Sequence, residues 1–354
     1  MQILFDIGHP AHVHFFRNPI RQLTGKGHKI LVTSRDKEVT HQLLDSLSIP
    51  HISLTSQADG SVALLFRELL VRDYRLYRKV REFRPDIMAG IGGIFIAHVG
   101  AVTGIPSLVF YDTENARLQN AMTYPLASRV IVPRCYEGWV PEHKTVRYPG
   151  YHELSYLRPG YFTPDRETAV RNGLAAEGDS FLIRLVSWKA SHDLEEHGWD
   201  HSLLDYVVKQ LAAQGRVIIS SEQPLPETFT EYNYRGDPAA LHHVMAFCRG
   251  FIGESATMAS ECAVLGVPSV YAAQTGRGYT NEQESRYGLV QNVRSLDRGN
   301  LQAALDWVLG FDRNKALEAR TRLLSETIDV AHFVVAYLES YPVLPPDILV
   351  PGVH

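Results

Sequence analysis

Residues 251–271, FIGESATMASECAVLGVPSVY, constrain the fold more than any other stretch of this chain. The apolar pair Phe251-Ile252 runs into a turn of small residues, Gly253-Glu254-Ser255-Ala256-Thr257, and an alanine-rich helix follows with Glu261 one turn in. Leu265-Gly266-Val267-Pro268 ends that helix and leads to another apolar run. Strand, helix and strand in such short order specify one unit of a parallel α/β sheet. The turn opens the helix with unpaired backbone N–H groups at the positive end of its dipole, an arrangement that holds anions and phosphate in particular. A carboxylate at Glu261 could accept hydrogen bonds from ribose hydroxyls. Equally, the stretch could be an ordinary crossover with Glu261 solvated.

The same alternation recurs along all 354 residues. Apolar runs at Ile3-Leu4-Phe5, Lys29 to Thr33, His51 to Leu54, Ile87-Met88-Ala89, Ser107 to Phe110 and Val130-Ile131-Val132 fill the first half. Phe181 to Val186, Arg216 to Ser220, Phe251-Ile252 and Val267 to Tyr271 fill the second. Length and 45% hydrophobic content suffice for two cores. The Pro-, Gly- and Tyr-rich segment Tyr148 to Pro164 reads as a hinge. The expected division is 1–155, 165–330, and a closing helix with a Pro-rich tail, 331–354, crossing the junction. A net charge of −4 argues against nucleic acid as a partner. Cys135, Cys248 and Cys262 read as core thiols of a reducing compartment. With no basic-then-apolar leader and no apolar window of membrane-spanning length, the expected location is cytoplasmic.

Three further segments fall at strand ends, where ligands of open α/β sheets bind. The first strand delivers Gly8-His9-Pro10-Ala11-His12-Val13-His14, whose histidines could act as a general base, as donors to phosphate, as metal ligands or as helix caps. Their spacing lacks the i, i+4 pair of a helical zinc site, so no metal is assigned. Asp86 to Gly93 reads as a strand ending in a Gly-Gly turn, and Ser107 to Phe110 is followed by Tyr111-Asp112-Thr113-Glu114-Asn115. Glu114 reads as an acceptor-side carboxylate or as the cap of the helix after it. Arg184 lies inside an apolar strand, where a charge needs a carboxylate or phosphate partner.

The pattern S-x-x-x-x-x-E-x-x-x-x-G-x-P from Ser255 resembles the donor-binding helix of GT-B glycosyltransferases and of the non-hydrolysing UDP-N-acetylglucosamine 2-epimerases. The order P-D-strand-G-x-G-G, helix, G-I-P, strand, acidic-Asn is similar to the lipid-linked N-acetylglucosaminyltransferases of peptidoglycan synthesis. The whole resembles a family of glycosyltransferase-like proteins from archaea and bacteria. The resemblance implies two Rossmann-like doubly wound α/β domains facing across a cleft. It implies a sugar transferase using a nucleoside-diphosphate donor, UDP-linked, with a glycan or lipid-linked acceptor and no other cofactor, or alternatively a nucleotide-sugar 2-epimerase or hydrolase. On this resemblance Gly8 and His12 face the donor with His12 as base and His9 its competitor. Lys189 and the Ser255–Thr257 turn hold the diphosphate, Glu261 the ribose, Glu222 borders the base, with His242-His243 near it, and Asn281 and Glu282 in a polar loop meet the sugar.

From Val62 to Arg84 apolar residues recur with helical spacing, and seven basic residues oppose three acidic ones. This helix is expected to bury one stripe and solvate the other face, or to rest on anionic headgroups beside a lipid-linked acceptor at the inner membrane face.

Overall fold

The computed structural model describes residues 1–36, 39–56, 62–114, 116–186 and 199–352. The chain divides into two compact units, Met1–Tyr161 with Thr327–His354, and Phe162–Glu326.

The first unit holds seven parallel strands: β1 (Gln2–Ile7), β2 (Lys29–Asp36), β3 (Ile52–Ser56), β4 (Ile87–Ile91), β5 (Ser107–Phe110), β6 (Arg129–Pro133) and β7 (Thr145–Tyr148). Their order in the sheet is β3-β2-β1-β4-β5-β6-β7, with β1 pairing β2 on one side and β4 on the other. The strand order reverses at β1, the switch point at which such sheets leave room for a ligand. Central strands are buried on both faces and read as apolar runs, Ile3-Leu4-Phe5 in β1, Ile87-Met88-Ala89 in β4 and Leu108-Val109-Phe110 in β5. At the edge, β7 alternates Thr-Val-Arg-Tyr, and no apolar run marks it in the sequence. The segment expected as a hinge continues from β7 into the short helix Leu154–Leu157, all of it buried in the first unit. The closing helix Val330–Ser340 also belongs to this unit, with Phe333 stacked on Tyr148 at 5.1 Å.

The second unit is built on β8 (Ser180–Leu185), β9 (Arg216–Ser221), β10 (Gly250–Gly253), β11 (Ser269–Ala272) and β12 (Val290–Val293), parallel in the order β12-β11-β10-β8-β9. The edge strand β12, Val-Gln-Asn-Val, escapes a search for apolar runs for the same reason as β7. One core layer of this unit gathers Phe181, Ile183, Leu204, Val207, Ile252, Val270, Leu301 and Leu305.

The basic helix spans Val62–Phe83. Leu76 and Val80 are buried as the periodicity requires, while Leu70 is 52% exposed and Tyr74 62%. Arg72 departs from the expected solvated face. It is 2% exposed, its Nη2 lies 2.9 and 3.1 Å from the two carboxylate oxygens of Asp6 on β1, and its guanidinium sits 4.3 Å over the Phe95 ring. Helical spacing cannot distinguish an arginine that faces water from one whose buried partner is sixty-six residues away. Among the described residues no helix is long and apolar enough to cross a membrane.

Candidate functional site

In the first unit four titratable side chains gather beyond the carboxyl ends of β1, β5 and β7. His9 caps the helix Pro10–Gly25, its Nδ1 accepting the Ala11 N–H at 3.2 Å. His12 stands on the first turn, and its Nδ1 accepts the Gly8 N–H at 3.3 Å. A backbone N–H can only donate, so both bonds place the proton of the neutral imidazole on Nε2. Both rings therefore present Nε2–H donors. The two ring centroids are 5.8 Å apart. Burial, and then the neighbouring His9, push His12 well below the ordinary imidazole range against the opposing pull of Asp112. It stays neutral at physiological pH. His14 turns elsewhere, stacking on Tyr156 at 5.3 Å with Arg17 Nη1 3.3 Å from its Nδ1.

The proton-accepting geometry belongs to a different pair. Asp112, two residues past β5, lies 3.1 Å from Nδ1 of His152, four residues past β7. With Nδ1–H given to the carboxylate, the lone pair of His152 lies on Nε2, which is buried without a hydrogen-bond partner among the described residues. The Phe15 ring fixes the imidazole at 4.4 Å. Burial pushes the Asp112 carboxyl up. The charge and hydrogen bond of His152, the Thr113 hydroxyl at 3.0 Å and His12 outweigh that and hold it down at about 2. Sequence reading passed over His152 because it lies in the segment taken for a hinge. It carried Asp112 only as one of the residues Tyr111 to Asn115 that follow the strand Ser107 to Phe110.

Stability should follow these groups. Below its ordinary value of 6.5, His12 binds a proton in the unfolded chain before it does in the folded one. Between 3.8 and about 2 the same holds for Asp112. Stability rises with pH wherever the unfolded chain binds more protons, so both contributions are full above these windows and are lost on acidification. Denaturant midpoints for the first unit should fall as the pH drops below 6.5 and again below 3.8. A midpoint that does not fall on acidification below pH 6.5 would contradict the His12 burial.

Glu114 does not cap the helix Arg117–Thr123, whose N-cap is Ala116 with no side-chain bond. Its Oε1 lies 3.5 Å from the Glu137 N–H. The room left by the two glycines is used internally. A Cβ on Gly92 would meet Gln119 Nε2 at 2.4 Å, and one on Gly93 would meet Val109 Cγ1 at 2.4 Å.

In the second unit, the helix Ala256–Leu265 begins where β10 ends, and Ser255 caps it by accepting the Met258 N–H at 3.3 Å. The N–H groups of Ala256 and Thr257 occupy the first positions of that turn, where no intrahelical acceptor exists. Glu261 is 5% exposed and pairs with His242 Nε2 at 2.9 Å, so a buried imidazole orients the carboxylate. The carboxylate expected for Arg184 is Glu222: Nη2 reaches Glu222 Oε1 at 2.7 Å and Nη1 reaches Ser220 Oγ at 2.8 Å. Gly253 permits β10 to lie against that arginine's backbone, since a Cβ there would stand 2.4 Å from the Arg184 carbonyl.

The polar loop expected after β11 is instead wound into the helix Gly278–Glu282, packed through Gln283 Nε2 on Ser260 Oγ at 2.7 Å. Asn281 is held by Arg294 Nη2 at 2.7 Å, and Glu282 is half-buried on the same helix beside Arg286. Arg277 and Arg294, after β11 and β12, thus join Arg184 at the carboxyl ends of this sheet. The sequence reading weighted neither. Glu254 was also missed. It accepts the Val186 N–H at 2.8 Å and the Trp199 N–H at 3.0 Å, joining the two flanks of residues 187–198. Lys189 lies outside the described residues. Among the described residues no group of three or more His, Cys, Asp or Glu side chains is placed to hold a metal ion.

The fold is therefore that of the GT-B class, two parallel-sheet Rossmann-like α/β units. The chain belongs to the family described as "Protein of unknown function (DUF354)", whose model matches residues 1–277. It is similar to the uncharacterized protein MJ0665 of Methanocaldococcus jannaschii, 20% identical over 293 residues, 76% of this chain and 81% of that protein. Among solved structures it resembles the UDP-GlcNAc 2-epimerase of Neisseria meningitidis bound to UDP-GlcNAc. That match has a TM-score of 0.66 and 11% identity, covering 96% of this chain and 100% of the other. It also resembles the calicheamicin glycosyltransferase CalG4, with a TM-score of 0.59, 13% identity and coverage of 97% and 99%.

Proposed function

We propose that this chain is a glycosyltransferase that moves a sugar from a uridine-diphosphate donor to a hydroxyl of a glycan or lipid-linked acceptor. The observation that carries this reading is the Asp112–His152 pair, a carboxylate-oriented imidazole with its basic Nε2 unused. The acceptor O–H gives its proton to this pair as the oxygen bonds to the anomeric carbon. The bond from that carbon to the diphosphate breaks, and the nucleoside diphosphate leaves with its electron pair. A general base suits direct displacement with inversion.

The second unit supports the donor half of the reading. The Ser255-capped turn presents N–H groups and the helix dipole, and Arg277 and Arg294 add positive charge beside the Arg184–Glu222 pair at the same sheet end, where a leaving diphosphate develops charge. The neighbouring epimerase binds UDP-GlcNAc, a ligand this site would take in the same way. Glu261, steadied by His242, holds the ribose. His12 and His9, as Nε2–H donors, bind sugar or phosphate oxygens.

A thermal-shift series over UDP, GDP, CDP and ADP tests the donor site. A ligand at 100 times its dissociation constant adds about 2.7 kcal/mol of stability. UDP should raise the melting temperature of the wild type, and Glu261→Ala should lose at least half of that shift while the protein remains folded. An undiminished shift would remove Glu261 from the site. Incubation with UDP-GlcNAc alone separates the second reading, favoured by the likeness to 2-epimerases, because an epimerase or hydrolase consumes donor without acceptor.

A further inference from the structure

A second concavity in the Phe162–Glu326 unit lies at the amino ends of β8, β10 and β11, the opposite end of the sheet from Ser255 and Arg184. Its volume is about 590 Å³, within the range of small-molecule pockets. Four guanidinium groups line it, those of Arg166, Arg249, Arg313 and Arg320, against the single carboxylate of Asp179.

Asp179 is already shared. It pairs with Arg313 and lies 3.7 Å from Arg249 Nε. Arg249 gives its Nη2 to the carbonyls of Leu309 and Phe311 at 2.8 and 2.7 Å, while its Nη1 is buried without a partner among the described residues. Arg320 donates Nε to the Val264 carbonyl at 3.0 Å, a backbone partner that brings no countercharge. Burial lowers the pKa of that guanidinium, the sign of a cation held away from water. Gly266, in the left-handed region at φ +82°, keeps Arg320 in place, since a Cβ there would come within 2.8 Å of its Cδ. The remainder of the lining is apolar. Phe247, Leu265 and Val267 contribute to it, and Leu317 stands on the lip with 59% of its surface exposed.

We infer that this concavity binds a phosphate monoester carrying an apolar chain, with Arg249 and Arg320 on the phosphate and the Phe247–Leu265–Val267 surface under the chain. Four guanidinium groups against one carboxylate leave the concavity with an excess of positive charge, and cations partly withdrawn from water are best compensated by a dianion. The planar guanidinium fork matches phosphate oxygens two at a time. A phosphate alone would leave the apolar lining wet. The chemistry is shared by a free phosphate ester and by the headgroup of a phospholipid.

Titration calorimetry with octyl phosphate below its micellar range tests the site. One molecule should bind per chain, and octanol and inorganic phosphate should each bind at least about tenfold more weakly, because each lacks one half of the recognition. Arg320→Gln and Arg249→Gln should weaken octyl phosphate about tenfold or more. Arg313→Gln on the exposed rim keeps the test sharp if either buried variant fails to fold, and should cost about threefold while leaving the UDP response intact. Vesicles of phosphatidylcholine with phosphatidic acid that capture the wild type, and not Arg320→Gln, would assign the same pocket to a lipid headgroup. Absence of octyl phosphate binding, equal affinity for inorganic phosphate, or affinity unchanged in all three variants would overturn the inference.

Discussion

Asp112→Asn is expected to lower the turnover number by about 10²- to 10⁴-fold with little change in donor affinity, the usual range for loss of a positioned general base. The asparagine keeps the volume and can keep a contact to His152. It no longer stabilises an imidazolium, and its amide can turn an N–H toward Nδ1, moving the ring proton to Nε2 and leaving no basic lone pair there. The loss should therefore appear in turnover far more than in the UDP dissociation constant, because the residues proposed to hold the donor belong to the other unit. His12→Asn supplies the contrast. If His12 is a donor through Nε2–H, its replacement should raise KM and lower turnover less than Asp112→Asn does. Turnover abolished by His12→Asn and preserved in Asp112→Asn would return the base to His12 and overturn the assignment made from the Gly8 N–H bond.

Asp6→Ala is expected to destabilise the first unit by about 3–5 kcal/mol, the usual consequence of leaving a buried ion-pair partner alone. Arg72 would keep its place over Phe95 with no carboxylate, and the Thr33 hydroxyl would lose its 2.8 Å acceptor on Asp6 Oδ1 and keep only the longer contact to the Phe5 carbonyl at 3.4 Å. For a unit of this size that corresponds to roughly 10 °C or more in melting temperature. Replacing both members, Asp6→Leu with Arg72→Met, should recover most of the loss, since an apolar pair of similar volume removes the uncompensated charge. A single mutant within 1 kcal/mol of the wild type in denaturant titration would show that water reaches Arg72. Asp6 is two residues before Gly8, so the double variant also tests whether the pair holds the histidine turn. Turnover restored together with stability would mean that it does not.

Much of the architecture was legible because central parallel strands are buried on both faces and must be largely apolar. β1, β4, β5, β8 and β10 announce themselves for that reason, and Ser255, Glu261 and Gly266 fall on the helix that the small-residue turn begins. β7 and β12 were not legible, because an edge strand needs only one buried face and can carry Arg147 or Asn292. That Arg184 needs an anionic partner, carboxylate or phosphate, followed from elementary electrostatics, since a charge within an apolar strand needs a partner. That the partner is Glu222 was set by the parallel register of β8 and β9, which brings Arg184 beside Ser220.

The sequence by itself determined the two parallel α/β halves, the capped helix after β10 and the histidine turn after β1, because these depend on burial periodicity and on backbone groups that local chemistry must satisfy. Only the tertiary structure decided that Asp112 belongs to His152 and that Arg72 turns inward to Asp6. Those outcomes rest on hydrogen bonds and ion pairs between residues tens of positions apart, brought together when the strands take their places in the sheet, and no local pattern encodes the distance between them.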